Sequence, residues 1–246
     1  MRYAALEEDK MRHLSFYLAM EEYLARRVLP TLGAEGSDGL FFMWQVRPSV
    51  IIGRNQVAEN EVNLDYCREH GIEVFRRKSG GGCVYADEDN LMLSFITSNE
   101  NVNFTYNRFI NMLLLVLRRL GIEATGTSHN DVLIGGRKVS GTAFYHIPHP
   151  TPGPSPQKGG EGASIVHATL LYDTNMDHML NAITPSGEKL QRKGVESVRQ
   201  RITLLKDYTT LSIGELKTFI RQTLCQGELT LTPADVAEIE KVINDK

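Results

Sequence analysis

Residues 130–141 read Asn130-Asp131-Val-Leu-Ile-Gly135-Gly136-Arg137-Lys138-Val-Ser140-Gly141. Two glycines between two strand-like runs read as a two-residue hairpin turn, since the favoured turn needs positive φ at both central positions. Counting back from that turn pairs Ile134 with Arg137, Leu133 with Lys138 and Asp131 with Ser140. Directly opposed residues share a face of the sheet. Asp131, Lys138 and Ser140 then project from one side, gathering a carboxylate, an ammonium and a hydroxyl into a polar site. An ordinary surface salt bridge, worth little, is the competing reading. Gly141 and Ala143 are small, as if something approaches that strand closely.

Upstream lies a second cluster, Arg76-Arg77-Lys78-Ser79-Gly80-Gly81-Gly82, followed by Cys83 and Val84. Glycines let backbone N–H groups turn toward an anion, and arginine grips phosphate oxygens in a bidentate way. The spacing is neither a Walker A loop nor GxGxxG. Phosphate binding and a glycine-rich hairpin with solvated charges read equally well here. Cys83 invites a nucleophile reading, but no base lies near it in sequence, and strand cysteines are usually inert packing. A third basic stretch runs from Lys193 through Arg199 to Arg201, and His167 and Thr169 sit in a strand-like run.

Around these clusters helical and strand patterns alternate. Tyr17, Met20, Leu24 and Val28 have helical spacing, with Pro30 as the expected stop. Leu40 to Val46 and Ser49 to Ile52 read as buried strands broken at Pro48, and a polar helix is expected to end near His70 with Gly71 as its cap. Ile72 to Arg76 is a short strand, and the alternation of Leu91, Leu93 and Phe95 predicts a half-buried one. The clearest helix is predicted over Asn103–Leu120. Ser212 with Glu215 forms a capping box, and Thr232-Pro233 opens a last helix. Residues 146–163 are rich in Pro, Gly and Ser and predict an exposed insert.

Composition bounds the rest. With 246 residues, the chain exceeds a usual single domain but falls short of two. Its 41% hydrophobic and 23% charged residues fit a globular protein. A net charge of −3 supplies no global basic field, so nucleic acid is not an expected partner. The most apolar run, Phe109 to Leu117, contains Asn111 and is too short to span a bilayer, so no membrane partner is expected either. Three cysteines without CxxC spacing argue against a disulfide framework or a zinc knuckle and point to a cytoplasmic setting.

Taken in order, these segments resemble the lipoate–protein ligase family. The resemblance is carried by Met20-Glu-Glu-Tyr-Leu, Pro48-Ser-Val-Ile-Ile-Gly-Arg-Asn-Gln, Arg76-Arg-Lys-Ser-Gly-Gly-Gly-Cys-Val-Tyr, the Asp131–Lys138 hairpin, His167-Ala-Thr-Leu-Leu and Lys193-Gly-Val-Glu-Ser-Val-Arg199. It implies an α+β fold, with mixed and antiparallel sheets flanked by helices, as in biotin ligases and class II aminoacyl-tRNA synthetases. It also implies an ATP-dependent ligase that makes lipoyl-AMP and transfers the lipoyl group to a lysine of an apo lipoyl domain or the glycine-cleavage H protein.

By the same resemblance Lys138 and Asp131 are the catalytic residues. Arg76, Arg77, Ser79, Gly80, Gly81, Gly82, Cys83, Val84, Ser140, Gly141, Ala143, His167, Thr169 and Lys193 join Lys138 around ATP and the adenylate. Mg2+ accompanies ATP, and no protein metal site is implied. Residues 1–246 are expected to form one catalytic domain, without the accessory C-terminal domain usual in the family, so a separate accessory subunit is a possible partner. Cys83 stands where the family commonly has alanine, and Ala168 where it has glycine. Two alternatives share the fold: an ATP-independent octanoyl or lipoyl transferase, and a non-catalytic adenylate sensor. The transferases use a cysteine before the lysine hairpin, where this chain has Thr125-Gly-Thr-Ser-His-Asn-Asp and none.

Overall fold

The computed structural model describes residues 1–8, 10–36, 38–98, 101–128, 131–148, 162–183 and 201–244. Within them the strands are β1 (Arg2–Leu6), β2 (Leu40–Trp44), β3 (Ser49–Ile52), β4 (Glu73–Arg76), β5 (Val84–Ala86), β6 (Asn90–Thr97), β7 (Thr125–Gly126), β8 (Asp131–Ile134), β9 (Arg137–Ile147), β10 (Ala163–Leu171) and β11 (Glu228–Leu231). The helices are α1 (Leu14–Tyr23), α2 (Ala58–Glu61), α3 (Leu64–Glu69), α4 (Val102–Arg119), α5 (Met176–Ala182), α6 (Ile213–Leu224) and α7 (Pro233–Asn244). One sheet has the order β11-β1-β2-β6-β10-β9-β8-β7, and a smaller one the order β4-β3-β5. Both mix parallel and antiparallel pairs, which is the α+β class expected.

The large sheet is buried on both faces. Leu40, Phe42 and Trp44 of β2 pack with α1, while Phe41 and Met43 pack on the other side with Phe109, Leu113 and Leu117 of α4. This corrects the half-buried expectation for β6, since all eight of its residues are buried. Most of its buried polar groups are partnered: Ser94 Oγ donates to Glu21 Oε1 at 2.6 Å and Asn90 Nδ2 donates to Tyr85 O at 3.0 Å, while Asn90 Oδ1 has no partner among the described residues.

Several local signals act as the chemistry predicts. Asn101 caps α4 by accepting from the Phe104 amide, and Gly71 (φ 63°) and Gly121 (φ 76°) take the left-handed conformation just after helices. Ser212 and Glu215 make both bonds of the capping box. Pro30 does not end the first helical stretch: after Tyr23 the chain continues as a π turn over Leu24–Val28 and a 3-10 stretch over Leu29–Gly36. The Leu29 N–H closes the π turn onto Leu24 O, and Pro30, next in line, has no N–H of its own to place; the stretch itself breaks at Gly33, where φ is 52°.

The hairpin of β8 and β9 departs from simple counting. Gly135 and Gly136 have φ of 54° and 77°, and Ile134 faces Arg137 and Leu133 faces Lys138, as read from the sequence. A β-bulge then intervenes, so Val132 pairs with Ser140 and Asp131 with Gly141. The extra residue, Val139, is buried, and the bulge satisfies its apolar side chain. Ser140 therefore leaves the Lys138 face. It is fully buried opposite Val132, and its Oγ has no hydrogen-bond partner among the described residues. At the far end β9 extends to Ile147 and β10 starts at Ala163, so the expected insert is narrower than 146–163, and its residues 149–161 lie outside the described residues.

Candidate functional site

The glycine segment leaves β4 with its cations already engaged. Arg77 is 5% exposed and uses its whole guanidinium on the protein: Nε to Ser79 Oγ (2.9 Å), NH1 to Ile51 O (3.0 Å), and NH2 to Gly80 O and Gly82 O (both 2.7 Å). Arg76 is exposed and its NH1 collects the carbonyls of Gly53, Arg54 and Gln56 at 3.0, 3.1 and 2.6 Å. Lys78 Nζ lies 2.5 Å from Glu22 Oε2. What the loop leaves open is its backbone. The amides of Gly80, Gly81, Gly82 and Cys83 donate to no acceptor among the described residues. With the Gly80 and Gly82 carbonyls held by Arg77, these consecutive N–H groups remain as unpaired donors, the chemistry that an anion cradle requires.

Segment 53–56 docks against this cradle through Arg54 N to Ser79 O at 2.9 Å. A Cβ on Gly53 would overlap the Gly81 carbonyl, which is backbone and has little room to give. Gly53→Ala is expected to cost about 1–3 kcal/mol, as overpacking does, and to weaken anion binding with it. A urea melt with and without pyrophosphate checks this; an unchanged midpoint would mean the loop adapts freely.

Facing the cradle is the Lys138 hairpin. Lys138 Nζ sits 2.9 Å from Asp131 Oδ1, with both side chains partly exposed. The close approach predicted at Gly141 is made by Lys138 itself. A Cβ on Gly141 would lie 2.6 Å from both Cε and Nζ of Lys138, and 3.5 Å from Asp131 Oδ1. The bulge thus opposes Asp131 to a glycine, and the lysine side chain folds into the vacated space. Lys138 is anchored through its backbone as well: its carbonyl accepts from Thr203 N at 2.9 Å, and it bridges to Ile202. Lys193 and Arg199 lie outside the described residues, and Arg201 is exposed.

The two clusters, whose nearest wall residues Val84 and Lys138 are 54 positions apart in sequence, meet at a cavity of about 110 Å³. Arg77, Gly81, Gly82, Cys83 and Val84 form one wall, and Lys138, Gly141, Ala143, His167 and Thr169 the other. Arg76, Ser79 and Ser140 lie outside that lining, and Gly80 lines an adjoining cleft with Arg26, Arg54 and Lys78. Ile51 from β3 and Met92 from β6 join the apolar floor with Val84. Nothing local marks either residue as part of a site; only the packing of the small sheet on the large one brings them there.

Burial pushes the Cys83 thiol up to about 12, with Glu61 adding to the shift and Arg77 opposing it. A thiol so raised is almost entirely protonated at neutral pH and is a poor nucleophile. Iodoacetamide at pH 8 is expected to leave Cys83 unmodified in the folded protein, as read by peptide mass mapping. Alkylation as fast as that of free cysteine would overturn the assignment. Among the described residues there is no group of three His, Cys, Asp or Glu side chains able to hold a metal ion, and no helix is long and apolar enough to cross a membrane.

Two sheets meeting at a polar-rimmed slot, with unpaired glycine amides on one wall and a lysine paired to a carboxylate on the other, define an α+β domain with one cavity that is polar on one side and apolar on the other. The match to known proteins makes this specific. Residues 13–225 match the family model described as the lipoyl protein ligase A/B catalytic domain, and the chain belongs to that family. It is 36% identical over 236 residues to lipoate–protein ligase 1 of Staphylococcus aureus, an alignment covering 93% of this chain and 66% of that relative's length. In structure it is similar to a bipartite lipoate protein ligase from Thermoplasma acidophilum, described with its E2 lipoyl domain, at TM-score 0.80 and 27% identity, covering 100% of this chain and 92% of that one. The fold is also that of a lipoate-protein ligase A bound with ATP, at TM-score 0.77 and 24% identity, covering 100% and 96% of the two chains.

Proposed function

We propose that this chain is an ATP-dependent lipoate–protein ligase, joining lipoate to AMP and passing the lipoyl group to a lysine of an apo lipoyl domain or of the glycine-cleavage H protein. The observation that carries the reading is that Gly81, Gly82 and Cys83, whose amides are unpaired among the described residues, line one cavity with Lys138, the partner of Asp131. In the first step a lipoate carboxylate oxygen attacks the α-phosphorus of ATP, and the bond to the β-phosphate bridge oxygen breaks to release pyrophosphate. Two anions must approach each other, and in this reading the Lys138 ammonium neutralises both. The free glycine amides take phosphate oxygens, and Ile51, Val84 and Met92 line the apolar side offered to the lipoyl chain.

In the second step the acceptor amine attacks the acyl carbon and AMP leaves with the bonding pair. The amine's proton has a receiver in Asp131, once Lys138 has turned from it toward the adenylate. Arg77 holds the loop that binds the nucleotide, while Arg76 steadies the neighbouring 53–56 segment. The Mg2+ that travels with ATP has no protein cluster to hold it among the described residues, and Asp131 is engaged with Lys138, so the triphosphate is its proposed ligand. Residues 1–246 work as one catalytic unit in this reading, with the Lys193 segment contributing to the adenylate site and the reaction taking place in the cytoplasm.

The test is direct. Pure protein is incubated with lipoate, ATP-Mg and an apo lipoyl domain, and the acceptor is weighed by mass spectrometry. ATP-dependent gain of one lipoyl group is expected. Transfer from an octanoyl carrier protein without ATP would replace this reading with the acyltransferase. Adenylate binding with no acceptor modification would replace it with the sensor. Use of supplied lipoyl-AMP but not of ATP would assign the activation step to an accessory subunit.

A further inference from the structure

A chain of buried polar groups runs from the sheet interior to the glycine cradle. Trp44 Nε1–H donates to Ser94 Oγ at 2.9 Å, and Ser94 Oγ–H donates to Glu21 Oε1 at 2.6 Å. His167 Nδ1 lies 3.2 and 3.1 Å from the two Glu21 oxygens, and His167 Nε2 lies 2.7 Å from Ser79 Oγ. Ser79 Oγ accepts from Arg77 Nε, and Arg77 holds Gly80 O and Gly82 O. Glu21, Ser94 and Ser79 are 0% exposed, and Trp44, Arg77 and His167 are 2%, 5% and 7% exposed. Glu21 lies on α1, Trp44 on β2, Ser94 on β6 and His167 on β10, so the relay ties four elements of the frame to one loop.

Counting protons fixes the arrangement. Ser94 accepts from Trp44 and gives its only hydrogen to Glu21. A carboxylate accepts only, so His167 Nδ1 carries a hydrogen. Ser79 has one hydroxyl hydrogen and already accepts from Arg77. With Nε2 bare, that hydrogen goes to His167, and every donor has one acceptor. With Nε2 protonated, the buried Ser79 hydrogen has no acceptor among the described residues, which costs free energy. The arrangement that satisfies every group is neutral His167 with its proton on Nδ1. Arg77 in turn has no carboxylate against it among the described residues, and Glu21 is the carboxylate at the other end of the relay.

We propose that Glu21 is a positioning residue of the nucleotide cradle: through the fixed Nδ1–H tautomer of His167 and through Ser79, it sets the orientation of Arg77 and so of the Gly80–Cys83 amides. This rests on the ligase reading. The tautomer itself is independent of it.

Glu21→Gln tests the proposal, because an amide can present an N–H to Nδ1, driving the imidazole proton to Nε2 and leaving Ser79 with two donors and no acceptor. With ¹⁵N-histidine labelling, the His167 resonances of the wild type are expected to show the neutral Nδ1–H form, and those of Glu21→Gln the Nε2–H form. Adenylate formation per folded molecule is expected to fall about 10-fold or more in kcat, since small misplacements of reacting groups cost that much. The KM for the acceptor protein is expected to hold. Ser79→Ala cuts the relay at its other end and is expected to show the same kcat loss with the wild-type tautomer; it decides the matter if Glu21→Gln does not fold. An Nε2–H or charged His167 in the wild type, or unchanged kcat in the folded variants, overturns the positioning role. A wild type that shows the tautomer but makes no adenylate sinks the ligase reading instead.

Discussion

Lys138→Ala is expected to lower the rate of lipoyl-AMP formation by about 10²–10³-fold, the usual cost of removing a charge donor aimed at a developing transition state. The loss has two parts. The ammonium that would bridge carboxylate and α-phosphate is gone, and Asp131 is left unpaired beside two incoming anions. Stability is expected to move little. The Lys138 and Asp131 side chains are 37% and 27% exposed, and a pair so open to water is worth about 0–1 kcal/mol. Lys138→Arg is not expected to rescue, because the side chain lies in the space left by Gly141 and a planar guanidinium is broader than an ammonium. Pyrophosphate release assayed beside a thermal melt separates the two effects. A rate within about three-fold of wild type, well short of the loss just argued, would remove Lys138 from the chemistry.

Gly141→Ala is the second large effect, and it arises without touching a reactive group. The added methyl would lie 2.6 Å from Lys138 Cε and Nζ. Those atoms end a flexible chain, so they swing away at little cost to the fold. The ammonium then leaves Asp131 and the cavity, and a misplacement of about 1 Å can cost about 10²-fold in rate. A loss of about 10–100-fold in adenylation is therefore expected, with an unchanged melting temperature. The double variant Gly141→Ala/Lys138→Ala is expected to be no slower than Lys138→Ala alone, since both act through the same amine. Additive losses in that cycle would show that Gly141 serves some other purpose.

What could be read along the chain was local chemistry. The Gly135-Gly136 turn, the cap at Ser212 and Glu215 and helix α4, predicted over Asn103–Leu120 and found over Val102–Arg119, each rest on residues a few positions apart, and each formed as their spacing requires. The bulge at Val139 was not readable. Alternation alone puts Ser140 beside Lys138, whereas the core's demand for a buried Val139 shifts the register and sends Ser140 inward. The cations at 76–78 were legible as a cluster, but their destinations were not. Each is held by a partner from another segment: carbonyls of 51–56 for the two arginines, and Glu22 for Lys78.

Glu21 is the sharpest case. The Met20-Glu-Glu-Tyr-Leu stretch carries part of the family resemblance, yet nothing in its spacing tells a buried relay carboxylate from a solvated one. By itself the sequence determined the element types, the glycine segment, the lysine hairpin and, through six segments in order, the family resemblance. Only the tertiary structure decided that the segment's amides rather than its cations are left open, that Lys138 folds into the space beside Gly141, and that Glu21 is linked to the glycine segment through His167 and Ser79. The reason is physical: turns and caps are set by neighbours along the chain, whereas the partner of a buried charge is chosen by packing across sheets, from residues up to 146 positions away.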